Sequence, residues 1–206
     1  MATPEKLPAM TVTIDSLRAN AEKIQAARYD YRSSQLEKLI TKFGSAKKLA
    51  AAIGMSRCYV TSLRSRDIGE SAARTIEQTL GLKGHFALND ITAEHVQHMT
   101  KPYRKALQGL EGRILEQEFY RLRIQDMAEE YPTAMQFGNA IGFTNGHYIS
   151  LMLGRFRPVS EFTRTVIELM PGHTNWFSPE AAYTSPARLK QSKQGTLKVS
   201  RAGGSR

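Results

Sequence analysis

One helical pattern occurs twice in this chain, 88 to 91 residues apart, and that repetition constrains the fold more than any other feature. Internal repeats change how a whole chain is parsed. Residues 45–65 read SAKKLAAAIGMSRCYVTSLRS, and residues 133–155 read TAMQFGNAIGFTNGHYISLMLGR. Each copy opens on a hydroxyl residue suited to cap a helix, Ser45 or Thr133. A short apolar-faced helix then ends in Ala-Ile-Gly, at Gly54 or Gly142. A second hydroxyl, Ser56 or Thr144, precedes a helix centred on Tyr59-Val60 or Tyr148-Ile149. The pattern predicts an all-α chain of two small helical domains.

The charge distribution separates the copies. The 206 residues carry a formal net charge of +10, which favours a polyanionic partner. Residues 31–90 hold ten basic and five acidic residues, and residues 181–206 hold six basic and none acidic. Residues 119–180 hold five basic and six acidic. Because phosphate-neutralising cations dominate affinity for DNA, the first copy and the tail suit that polymer and the second copy does not by this measure. No run of 18 apolar residues is present, so no membrane span is expected. The first ten residues lack the apolar core of a secretory signal. The single cysteine, Cys58, cannot form an internal disulfide, which fits a reducing cytoplasm.

Along the chain, residues 1–30 read as an extension with one helix. Its apolar positions are Ile14, Leu17, Ala21, Ile24 and Ala27, and it is expected to pack on a domain or a partner chain. The first domain is placed at 31–90. It begins with a helix through Leu36, Leu39, Ile40 and Phe43 and continues with helices at about 45–53, 56–65 and 70–80, the last of them ended by Gly81. Residues 91–118 read as a helical connector. After Pro102 the chain is strongly helix-forming up to Tyr131, where Pro132 sets a boundary. The second domain is placed at 119–180, with helices at about 133–141, 145–154 and 160–170 and a closing HTNWFSPEAAY segment that contributes Trp176 and Phe177. Residues 181–206 read as a disordered basic tail.

Two helices that cross sharply over a short turn need a small residue at the crossing and a turn residue tolerant of positive φ. Ala50 and Gly54 meet these needs, and Val60, six positions beyond the glycine, plugs the gap between the helices. Leu49, Ile53, Met55 and Leu63 fill the remaining inward positions. This is a helix-turn-helix pattern. The stretch LEKLITKFGSAKKLAAAIGMSRCYVTSL, followed by IGESAARTIEQTLGL, resembles the phage-repressor-like (Cro/repressor, or xenobiotic-response-element) helix-turn-helix family. Ile68, Gly69, Glu70, Ala73, Arg74, Ile76 and Glu77 stand where that family begins the helix after its recognition helix. The resemblance implies a five-helix type of domain whose third helix enters a DNA major groove.

On that reading Ser56 caps the recognition helix, whose free amides suit a phosphate. Arg57, Cys58, Thr61 and Ser62 face the groove, with Arg57 the candidate for bidentate contact to guanine. Lys47 and Lys48, before the turn, and Arg64 and Arg66, beyond it, are placed over phosphates. In the second copy Gly138 stands for Ala50, Gly142 for Gly54 and, after one inserted residue, Ile149 for Val60. Its outward candidates are Asn145, His147 and Ser150, with Arg155 and Arg157 as phosphate ligands. A copy retained for dimerisation or for a protein partner stands as an equal alternative.

No Ser/His/Asp set, phosphate-binding loop or dinucleotide fingerprint is present, so the expectation is no enzyme and no cofactor. His95 and His98 have a spacing that can hold a metal, but no recognisable ligand set completes it, so no metal site is expected. The expected protein is a cytoplasmic, nucleoid-associated, sequence-specific regulator of transcription that binds double-stranded DNA as a homodimer. The alternatives are an architectural or partition DNA-binding protein, and a protein-interaction adaptor or antiactivator.

Overall fold

The computed structural model describes residues 13–88 and 90–184. Residues 1–12 and 185–206 therefore lie outside the described residues, but the first four residues of the expected tail, Ala181–Thr184, form a helix with Ala182 buried in a core. The described chain is all-helical, with eleven helices and no strand.

Helix α1 (Ile14–Phe43) starts at Thr13, whose side chain accepts from the Ser16 amide at 3.2 Å, and stops at Gly44, where φ is 79°. It is one helix where the sequence reads as two. The segment ARYDYRSSQ between the two apolar stripes holds neither Gly nor Pro, so nothing interrupts the hydrogen-bond ladder. Helices α2 (Ala46–Ala52), α3 (Arg57–Arg64) and α4 (Glu70–Leu80) follow where the sequence places them. With the C-terminal half of α1 they enclose a core of Leu36, Leu39, Leu49, Val60, Ile68 and Ile76.

The remaining helices surround a second, larger core. They are α5 (Ala93–His98), α6 (Lys101–Leu107), α7 (Gly112–Ala128), α8 (Ala134–Ala140), α9 (His147–Leu153), α10 (Glu161–Glu168) and α11 (Ala181–Thr184). Two expectations change here. Val96, Met99, Tyr103, Leu107 and Leu115, read as connector, are buried in this core together with Phe119, Phe137 and Ile149. The helix expected from Pro102 to Tyr131 is also broken, at Gly109, where φ is 77°. Trp176 and Phe177 close the core as expected. Phe177 is buried, and the indole N–H of Trp176 donates to Arg123 O at 3.1 Å.

The repetition extends past the helices that reveal it in sequence. A Glu77 carboxylate oxygen accepts from the Phe86 amide at 2.5 Å, and Glu168 accepts from Phe177 at 3.1 Å, 91 residues later. Gly81 and Gly172, also 91 apart, both have positive φ.

The two halves are joined by polar contacts, several of them buried ion pairs, whose arrangement is reciprocal. Arg28 donates to the Thr165 hydroxyl at 2.6 Å, and Arg74 pairs with Glu116 at 2.7 Å. Arg28 corresponds to Glu116 at the 88-residue offset, and Arg74 to Thr165 at the 91-residue offset. Arg32 forms a bidentate pair with Glu161 at 2.7 and 2.9 Å. At the corresponding positions, Glu70 meets Tyr120 through Arg164, which donates to Glu70 at 2.6 Å and lies 4.0 Å over the Tyr120 ring. When residue i of one half meets j of the other, and the counterparts of i and j also meet, the halves are related by an approximate two-fold axis.

Candidate nucleic-acid interface

Between α2 and α3 the chain turns on Gly54, at φ 66°, and the Met55 amide donates back to Ala50 O at 2.9 Å. Ala50 is 2 % exposed, as a crossing point requires. The Ser56 hydroxyl accepts from the Tyr59 amide at 3.1 Å, which fixes where α3 begins. Val60 and Leu63 then point into the first core. Arg57, Cys58 and Thr61 are left exposed on the opposite side, and Ser62 is half-buried at its edge. The Ser62 hydroxyl donates to Tyr59 O at 2.8 Å, so it is engaged within the helix. Tyr59, which sequence reasoning left out, is also exposed here. Its aromatic ring beside a polar stripe was the available signal.

Lys47 and Lys48 are exposed on α2, and Arg66 is exposed beyond α3. Among the described residues none of these three, nor Arg57, has an ion-pair partner. Arg64 differs. Its guanidinium holds Glu37 of α1 through two bonds of 2.6 and 2.9 Å on an exposed surface.

The second region repeats the buried geometry with other means. Gly142 has φ 83°, and the Phe143 amide donates to Gly138 O at 2.8 Å. A Cβ on Gly138 would lie 2.9 Å from Asn145 O, which explains the small residue there. Thr144, expected as a cap, is not one. The cap position of α9 falls two residues later on Gly146, and the Asn145 side chain accepts from the His147 amide at 3.0 Å. Gly146 presses on the start of α8, where a Cβ would come within 2.6 Å of the Met135 nitrogen. The inserted residue is thus absorbed in the turn. Ile149 and Met152 are buried as Val60 and Leu63 are, and Asn145, His147 and Ser150 remain exposed.

The flanking arginines are engaged, Arg155 by a carboxylate as Arg64 is in the first region. Arg155, in the left-handed region at φ 65°, forms a bidentate pair with Glu118 at 2.7 and 2.9 Å. Burial would raise that carboxyl, but hydrogen bonds from Arg121 and Arg155 hold it at about 2. Arg157 lies 5.4 Å from the ring centre of Tyr148, which stacks on Phe143. Ile114, Met135 and Phe156 are apolar and 58 to 80 % exposed in this half. His95 joins Thr92 in a capping box, and His98 packs beside Tyr183. Among the described residues no group of His, Cys, Asp and Glu is placed to hold a metal, and no helix is long and apolar enough to cross a membrane. Comparison with protein-family models, curated proteins and solved structures finds no match to the chain.

Proposed function

We propose that the chain is a sequence-specific regulator of transcription, of bacterial or phage type, built from two helix-turn-helix domains. It reads the major groove of double-stranded DNA with α3. The observation that carries this reading is the outward side of α2–α3. There Lys47, Lys48, Arg57 and Arg66 are exposed without ion-pair partners among the described residues, around a helix whose opposite face is locked by Val60 and Leu63. A rigid helix with unpaired cations on its solvent side suits both phosphate neutralisation and base contact. Arg57 is assigned to a base edge, and Lys47, Lys48 and Arg66 to phosphates.

The test is binding of the full chain to duplexes selected from a random pool, followed across salt concentrations. Lys47→Glu with Lys48→Glu is expected to abolish binding while thermal unfolding stays unchanged. Arg57→Ala is expected to weaken the selected duplex by about 1–3 kcal/mol and random duplex far less. Equal, weak binding to all sequences by the unaltered chain would overturn the reading.

A second reading, a protein-interaction adaptor, is favoured by the exposed Ile114, Met135 and Phe156. Three large apolar side chains exposed on one half suit contact with a protein partner.

A further inference from the structure

We infer that one chain, without a second copy, engages a two-part duplex site whose halves differ in sequence: α3 reads one half and α9, through Asn145, His147 and Ser150, reads the other. The inference rests on the DNA-binding reading above and extends it to the second half of the molecule. Helix-turn-helix proteins bind two half-sites because a two-fold axis relates their reading helices, and that axis normally arises when two identical chains pair. Here the reciprocal contacts Arg28–Thr165 with Arg74–Glu116, and Arg32–Glu161 with Glu70–Arg164–Tyr120, place an approximate two-fold inside one chain.

The relation is held rigidly. Arg32, Arg74, Arg164 and Glu116 are almost wholly buried where the halves meet, and α1 runs unbroken from the second core to the first. At its N-terminal end the Arg18 guanidinium donates to Gly142 O, in the turn before α9. At its C-terminal end Leu36 and Leu39 pack in the core that seats α3. One helix thus fixes both reading elements.

The register of α9 matches that of α3, because Ile149 and Met152 fill the places of Val60 and Leu63. His147 and Ser150 therefore stand where Cys58 and Thr61 stand, and Asn145 precedes them in the turn. Asn pairs with adenine edges and His donates to base or phosphate, whereas Arg57 prefers guanine. Unlike side chains on equivalent faces imply unlike half-sites. Because the two heads are covalently joined and rigid, the second contact follows the first without a second association step.

The experiment selects duplexes from a random library with the full chain and sizes the resulting complex by sedimentation. One chain per duplex is expected, with two enriched blocks of different sequence at a fixed spacing. Asn145→Ala with His147→Ala should flatten one block and weaken binding about tenfold or more, and Arg57→Ala should flatten the other. Inserting five base pairs between the blocks turns one to the opposite face of the duplex and should cost at least as much. A single enriched block, or a palindrome carrying two chains, would overturn this inference while leaving α3 as a DNA reader. Two blocks that both survive the Asn145 and His147 replacement would overturn it as well. No enrichment at all would overturn the DNA-binding reading itself.

Discussion

The α2–α3 and α8–α9 regions present nearly the same buried surface and quite different outward ones. Inward, Val60 and Ile149 are each fully buried, and Gly54 and Gly142 each turn the chain with positive φ. Outward, the first region offers Lys47, Lys48, Arg57 and Arg66 without ion-pair partners among the described residues, beside an Arg64 held by Glu37, while in the second Arg155 is held likewise by Glu118 and Arg157 rests on Tyr148. The difference teaches that packing fixes where the second helix lies, and that the outward face is then free to diverge. Even an inserted residue is absorbed, because Gly146 allows the turn to lie directly against the α8 backbone.

The largest expected effect concerns whether the two halves act as one body. Glu161→Ala leaves the Arg32 guanidinium, only 3 % exposed, without its carboxylate. Removing one partner of a buried pair costs about 3–5 kcal/mol. Glu37→Ala breaks an equally bidentate pair with Arg64, but on an exposed surface, where solvent screens the attraction and the loss is far smaller. Urea unfolding of both variants checks the contrast. Equal small losses would mean that the halves are merely tethered.

A second contrast sits at corresponding positions, Arg28 in the first half and Glu116 in the second. Burial pushes the Glu116 carboxyl from its ordinary 4.5 up to about 7, against the attraction of Arg74. Between those values the folded chain holds a proton that the unfolded chain has released. The contribution of this group to stability therefore falls as pH rises from about 4.5 to 7, and is level above that. Glu116→Gln removes the decline. Its stability relative to the unaltered chain should rise between pH 5 and 8 by up to about 3 kcal/mol. A gap that stays constant with pH would show that Glu116 is ionised throughout.

The turns themselves differ in what they tolerate. Gly146→Ala drives a Cβ against the backbone of Ala134 and Met135, and overpacking of that kind costs about 1–3 kcal/mol. Gly54→Ala meets nothing within 4 Å and pays only for its left-handed backbone, about 1–2 kcal/mol. Thermal unfolding of the pair reads the difference. A tolerated Gly146→Ala would mean that the α8–α9 turn can open.

Local signals carried much of this fold. Ser45, Ser56 and Gly81 mark helix ends through contacts three or four residues away, so they are readable in sequence. The unbroken α1 was harder to see. Its middle lacks an apolar stripe because Arg32 is buried there instead, paired with Glu161 at a separation of 129 residues. No local pattern announces such a pairing. The connector failed for the same reason. The Tyr103 hydroxyl donates to Asp126 and Arg123 donates to Tyr103 at 3.2 Å, so the segment read as a connector is held inside the second core. The outward residues of α3 followed directly from the inward ones. The cap of α9 did not, because the insertion moved it past the hydroxyl.

The smallest effect isolates that displaced cap. Ser45, Ser56 and Thr133 each accept from the amide three residues on, at 3.1 to 3.2 Å, whereas Thr144 accepts no such bond and is exposed. Replacing a hydroxyl cap by alanine typically costs about 1 kcal/mol, because a helix-end amide loses its acceptor. Ser56→Ala and Thr133→Ala should each lose about that much, and Thr144→Ala close to nothing. Asn145→Ala should group with the two caps, since its side chain likewise satisfies one amide, that of His147, from within the turn. The four variants leave the buried faces untouched, so their order under thermal unfolding reports the caps alone. If Thr144→Ala proved as damaging as Ser56→Ala, α9 would begin where α3 does. The extra residue would then sit within the helix, turn its outward face by about 100°, and carry His147 and Ser150 off the surface that matches Cys58 and Thr61.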